Sequence, residues 1–238
     1  MTIELVTEAA VVTVPARAAA VGWLNVFLVS SQDENRPALY RTLSLEAFTT
    51  GLQLIGCDGT AIFRTWVPGT ETPDAKWPDM AEAPVRSLVV MDPDGFGLSF
   101  IRSLLRVTAD DARLHEPLTL TTALADDAAA PALGSAFQSE RLVLRSCGQR
   151  TDLRLFEDTY PDWRRVRLGM DVIERMDRLT IATRMFGLVG KLRGVDAIDV
   201  EFYGEKKHLA FDARALGGTT EVRGLLMPMR RPEKPVEE

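Results

Sequence analysis

Apolar and polar positions follow one order that recurs three times along the chain. "AVVTV" alternates as a strand, and "PARAAAVGWLNVFLVSSQ" then carries Ala20, Leu24, Phe27 and Leu28 at helical spacing, with Pro15 at its first turn. Three β-rich runs follow, "YRTLSLEAF", "LQLIGCD" and "TAIFRTWV", divided by "TTG" and "DG" turns. The second pass runs from the strand "VRSLVVMDPD" into the helix "GFGLSFIRSLLRVTADD", with Leu98, Ile101, Leu104 and Leu105 at core spacing. It ends in the strands "LTLTTAL", "ERLVLRS" and "TDLRLFE". The third is a strand "RLTIAT", a short helix "RMFGLVGKLRG" and the strands "AIDVEFYG", "KKHLAFDAR" and "TEVRGLLMPMR". "PGTETPDAKWPDMAEAP" and "ADDAAAPALGSAF" have no periodicity and read as loops, and "RPEKPVEE" reads as a disordered tail.

Strand–helix–three strands, met three times, predicts an α+β fold whose units bury their apolar faces against one another. The plainer alternative is an ordinary α+β domain in which the order recurs without duplication.

Composition narrows the function classes. A chain of 238 residues, 46% apolar and 26% charged, is long enough for a normal core. No apolar run is long enough to span a membrane. The N-terminal "MTIELVTEAAVVTV" carries acids where a signal peptide carries positive charge, so a cytoplasmic location is expected. Two cysteines, Cys57 and Cys147, and two histidines, His115 and His208, are too few for a disulfide framework or a Cys/His metal site. Neither a metal nor a cofactor is expected. The net charge of −6 speaks against a generally basic nucleic-acid binder. Between Pro161 and Gly194, however, eight Arg and Lys residues face four acids, so the last third is locally basic.

On the second helix Arg102 and Arg106 lie four apart and share a face, with Ser99 and Ser103 beside them. On the third, Arg184, Gly187 and Lys191 follow i, i+3, i+7, while Met185, Leu188, Val189 and Leu192 form the other face. Basic helix faces backed by a sheet suit salt-sensitive, sequence-independent contacts with a phosphate backbone. The bland reading is a solvated helix face, and the first helix, with Arg17 alone, fits it.

Three stretches change the picture. "LQLIGCDGTAIFRTWVP" resembles the T-D-G-H-R-L turn in the middle domain of the bacterial β sliding clamp, the ring-shaped processivity factor of replicative DNA polymerase. "FEDTYPDWRRV" is similar to that family's F-P-D-Y-R-R-V junction, and "RGLLMPMR" to its C-terminal V-V-M-P-M-R-L. The resemblance implies a DNA-clamp fold built from strand–helix–three-strand half-domains, with sheets outside and helices lining a ring. Residues 1–166 then correspond to a complete domain like the middle one, enlarged by loops. Residues 167–230 correspond to the second half of the last domain, and 231–238 to the tail. The family's first domain has no counterpart here, and the shortened form points to a phage or other mobile element.

The resemblance further implies a non-enzymatic DNA polymerase III β-type processivity factor that encircles double-stranded DNA as a homo-oligomer and needs a clamp loader. DNA would meet Arg102, Arg106, Arg184, Lys191 and Arg193. A groove for short linear motifs of polymerases and other replication proteins would take Cys57, Gly59, Thr60 and Ile62 from the turn. The junction would add Pro161, Arg165 and Val166, and the end strand Leu225, Met227 and Met229. Alternation along a strand sends about half of "LLMPMR", including Leu226, into the core. The turn reads Cys57-Asp58-Gly59-Thr60-Ala61-Ile62, which lacks the family's His and Arg and leaves a smaller, less basic rim. Family rings contain twelve units, so three units per chain predicts four chains, or three chains if "VRLGMDVIERMD" belongs to a fourth unit. The rival function is a clamp-fold decoy or adaptor that binds such motifs without encircling DNA.

An enzyme is not indicated. "GFG" lacks the spacing of a phosphate loop, and "MDPDG" starts like a calcium loop but lacks the later ligands, so Asp92 and Asp94 read as turn and cap residues. Cys57 and Cys147 read as inert strand residues.

Overall fold

The computed structural model describes residues 9–30, 35, 37–79, 81–91, 95–124, 137–156, 160–162, 164, 183–203, 209–215 and 220–227. The first unit is β1 (Ala9–Pro15), α1 (Ala16–Phe27), β2 (Thr42–Phe48), β3 (Gly51–Cys57) and β4 (Ala61–Pro68). The second is β5 (Arg86–Met91), α2 (Phe96–Val107), β6 (Pro117–Leu124), β7 (Phe137–Ser146) and β8 (Gln149–Phe156). The third contributes α3 (Thr183–Val189), β9 (Ala197–Phe202), β10 (Leu209–Arg214) and β11 (Glu221–Leu226). The expected strand "RLTIAT" lies outside the described residues except for Thr183, which opens α3.

All eleven strands hydrogen-bond in the order β1-β6-β7-β8-β5-β2-β3-β4-β11-β10-β9. The first two units exchange strands: β1 pairs with β6 of the second unit, and β5 pairs with β2 of the first. A unit of this kind therefore cannot complete its sheet alone. Among the described residues the link between β5 and β8 comprises Val90↔Leu155 and Met91↔Arg154. The third unit joins through β11, which runs antiparallel to β4 from Val222↔Thr65 to Leu226↔Ala61.

One continuous core includes Val14, Trp23 and Val26 from the first unit, Ile101, Leu104 and Leu120 from the second, and Val189, Phe211 and Leu226 from the third. The helices α1 and α2 pack together, with Arg17 at the start of α1 donating to the Thr108 carbonyl at the end of α2 (2.8 Å). No residue of α1 is exposed. Asn25 near its end is fully buried: Nδ2 donates to the Arg193 carbonyl (3.1 Å) and Oδ1 accepts from the Arg193 N–H (2.7 Å). Both polar ends of the amide are thereby satisfied, as burial requires, and the first unit is tied to the third.

The segment after β4 is aperiodic in sequence yet well anchored. Gly69 N–H and Thr72 Oγ1 both donate to the Thr50 carbonyl (2.8 and 2.7 Å), and Trp66 Nε1 donates to the Ala75 carbonyl (2.9 Å). Trp77 Nε1 then reaches across to Glu221 on β11 (2.6 Å), and the Arg223 guanidinium stacks 4.6 Å from the indole centre. The loop thus straps the β4–β11 seam from outside.

Candidate peptide groove and basic helix face

Strand alternation decides which end-strand residues face outward. Val222, Gly224 and Leu226 point to the core, whereas Arg223, Leu225 and Met227 take the outer face. Leu225 sits opposite Ile62 on β4 and Ala210 on β10, and with Ala210 and Tyr203 forms an apolar cluster separate from the main core. Leu226 is 1% exposed in the main core, as alternation predicts. Met227 is 43% exposed, and its N–H donates to the Thr60 carbonyl (2.9 Å), which docks the end of the strand onto the turn.

Gly224 permits this arrangement. A Cβ there would fall within the edge of the Phe211 ring, which packs edge-on against Phe63 with centroids 5.1 Å apart. A cleft on the outer face is lined by Ile62, Arg64, Ala210, Asp212, Arg223 and Leu225, and its volume of about 10 Å³ holds roughly one water. A side chain larger than that must lie over Ile62 and Leu225, with the exposed Met227 beside them.

The turn is built on Asp58. Its Oδ1 accepts from Thr60 N–H (2.8 Å), Thr60 Oγ1 (2.7 Å) and Ala61 N–H (2.8 Å), while Gly59 holds a left-handed φ of 83°. Tyr40 lies against Gly59. Cys57 is buried and accepts from the Gly59 N–H (3.3 Å), and burial pushes its thiol above the ordinary value. Its side chain is packed under the surface opposite its strand partner Ile62.

From the junction, Tyr160 reaches this turn. Its hydroxyl is buried beside the Cys57 backbone, which makes at most a poorly aligned hydrogen bond to it, and burial, then the proximity of Cys57 and Asp58, pushes the phenol well above its usual range. Pro161 is half-buried next to it. Arg164 makes a bidentate pair with Glu46 (2.9 and 2.8 Å), and Gln53 Nε2 also donates to Glu46 (2.8 Å). The Glu46 hydrogen bonds raise the Arg164 guanidinium further. This pair fastens the junction to β2 and β3. Arg165, Val166 and Met229 lie outside the described residues, as do Asp92 and Asp94.

On α2, Ser99, Arg102 and Arg106 are exposed along one face, and Ser103 donates to Gln149 (3.1 Å). The side chain of Arg184 on α3 is outside the described set. The third helix is shorter than its apolar spacing predicts: α3 stops at Val189, and Gly190 and Gly194 open a turn. Lys191 and Arg193 are exposed in that turn, beyond the end of the helix that carries Arg184. Cys147 likewise lies in the two-residue turn between β7 and β8 (φ 51°), not in a strand.

Ala210, Arg64 and Arg223, which line the cleft, and Tyr203, which packs with Ala210 and Leu225, are residues that sequence reasoning missed. The period-two pattern of "HLAFDAR" and "EVRGLLM" carries the signal for Ala210 and Arg223. Trp77 has none, because it sits in an aperiodic loop. Among the described residues no group of His, Cys, Asp and Glu is arranged to hold a metal ion, and no helix is long and apolar enough to cross a membrane.

No protein-family model matches the chain, and no curated protein matches it in sequence. Solved structures do. A putative DNA polymerase III β subunit from Eubacterium rectale superposes with a TM-score of 0.60 at 11% identity, over 96% of this chain and 67% of that one. The DNA polymerase III subunit β from Pseudomonas aeruginosa gives 0.57 at 11% identity, over 97% and 69%. The sliding clamp of that organism bound to griselimycin gives 0.58 at 11% identity, over 97% and 68%. At such identity the likeness is one of fold.

Proposed function

We propose that this chain, which has the fold of the β sliding clamps, works as a shortened, non-enzymatic clamp. Residues 1–166 form a complete clamp domain and 167–230 half of another. Several copies close around double-stranded DNA, with Arg102, Arg106, Arg184, Lys191 and Arg193 toward the phosphates. Short linear motifs of polymerases and other replication proteins dock outside, over Ile62, Leu225 and Met227, and a loader opens the ring. Tethering is topological, so base recognition is unnecessary and the DNA contacts are weak and salt-sensitive.

The observation that carries this reading is the seam itself. The Asp58 turn, the end strand and the Tyr160 junction are remote in sequence but converge on one outer surface, with Leu225 and Met227 beside Ile62 and Thr60. The experiment is polymerase extension on primed DNA with the Arg102→Ala/Arg184→Ala double variant and, separately, Leu225→Asp. The first should shorten products while the protein still binds polymerase. The second should abolish polymerase binding. Full stimulation by both variants would refute the reading.

One observation favours the decoy or adaptor instead: α1 presents no exposed residue, so basic charge toward a ring interior comes from α2 and the third unit alone. A protein that binds motifs through the Leu225 surface yet leaves polymerase processivity unchanged would be that adaptor.

A further inference from the structure

We infer that the third unit is completed by the third unit of a second copy, related by a two-fold axis, across the open edge of β9. The template lies within the chain. The strands following the first two helices, β2 and β6, each have an outer edge filled by the leading strand of the other unit, β5 and β1 respectively. The strand following α3 is β9, and it ends the eleven-strand order with β10 as its sole neighbour among the described residues.

The side chains report the same vacancy. Ile198 and Val200 sit opposite Ala213 and Phe211, which lie in the main core, so they occupy the core-side face. They are nevertheless 44% and 40% exposed, whereas Leu118 and Leu120 on β6 are 1% and 0% exposed. Phe186 on α3 is also exposed, at 55%. Apolar side chains on the core side of an open strand edge mark an unfilled interface rather than a solvent face.

The exchange that joins the first two units is reciprocal: each gives a strand edge and a helix, and each receives the same. A reciprocal partner for the third unit must itself be an orphan unit, and a second copy supplies one. A closed two-fold contact of this type is self-complementary. It is made by apolar faces, with Phe186 the side chain available to cover Ile198 and Val200. A β9-to-β9 ladder is disfavoured, since it would bring the exposed acids Asp199 and Glu201 together. In the first two units β2 and β6 do not pair with each other either. Assemblies built this way contain an even number of chains, which selects four copies over three for a twelve-unit ring. The pairing does not require that the assembly encircle DNA.

The test is the native mass of the full chain by sedimentation equilibrium across concentration, beside Val200→Asp, Ile198→Lys and Phe186→Ser. Dimers or tetramers are expected for the parent chain, and a weakening of about 30-fold or more for each variant, as for a central interface residue. Their melting temperatures should stay within about 5 °C of the parent monomer, because the altered side chains are exposed. Hydrogen exchange on the parent alone gives a second readout: β9 amides should gain protection as concentration rises. Met227→Asp, on the outer cleft, should leave the mass unchanged. A monomer at about 100 μM, an odd-numbered assembly, variants that assemble like the parent, or β9 amides indifferent to concentration would each overturn the inference. An even assembly that fails to stay on circular DNA would keep this interface and refute the clamp reading instead.

Discussion

Leu120 on β6 and Val200 on β9 hold equivalent places in two copies of one supersecondary order, yet Leu120 is fully buried and Val200 is 40% exposed. Their strands are comparably apolar and alternate in the same way. What differs is the neighbour: β6 lies between β1 and β7, and among the described residues β9 has β10 on one side only. Burial in this fold belongs to pairs of units rather than to a unit. The first two units satisfy each other, whereas the third leans on the first through β4–β11, Asn25 and the Trp77 strap.

The comparison breaks most sharply by placing one charge in both positions. Leu120→Asp should cost more than about 4 kcal/mol and leave the chain unfolded by circular dichroism, since an unpaired charge enters a dry core. Val200→Asp should leave monomer stability within about 1 kcal/mol while dissociating the assembly. Equal losses would mean that the third unit is as closed as the first two.

At the seam, Gly224→Ala should cost about 3 kcal/mol by forcing Phe211 off Phe63, measured as a shift in the denaturation midpoint. Breaking the other ties should cost less. Asn25→Ala removes both amide bonds to Arg193 and should lose about 2 kcal/mol. Arg164→Ala strands the buried Glu46 carboxylate and should also lose about 2 kcal/mol, a value reduced because Arg164 is partly solvated. Hydrogen exchange should then rise in 183–203 for Asn25→Ala but not for Arg164→Ala.

The smallest effect carries a sign. Tyr160→Phe deletes a buried hydroxyl that faces the Cys57 backbone and should change stability by no more than about 1 kcal/mol. Cys57 and Tyr160 both have raised values in the folded protein, so they bind protons more tightly there than when unfolded. Their contribution is complete below the ordinary thiol value of 9.0 and is lost as pH rises beyond it through the folded values. Stability should therefore fall above about pH 9, and Tyr160→Phe should flatten the part of that fall above the ordinary phenol value of 10.0.

Much of the fold is legible because it is local. Helical spacing in "GFGLSFIRSLLRVTADD" and alternation in "LQLIGCD" and "TAIFRTWV" point to α2, β3 and β4 without reference to any partner. Leu225 and Met227 on the outer face also follow from alternation. The rest depends on distant pairs. Nothing near Asn25 announces a bond to residue 193, and Glu46 and Arg164 are 118 residues apart. Trp77 gains its role only when β11 brings Glu221 and Arg223 under the loop. The apolar stripe of α3 continues through Leu192, past Gly190 where the helix gives way to a turn, so spacing alone overstates its length.

The central claim is topological, and retention on circular DNA tests it most directly. The chain, diluted to monomers and then concentrated on a nicked circular plasmid so that it reassembles there, would be passed over a sizing column at moderate salt. The account predicts that it co-elutes with the circle and is lost once the same plasmid is cut open. Equal behaviour on circular and linear DNA, whether bound or free, would contradict it.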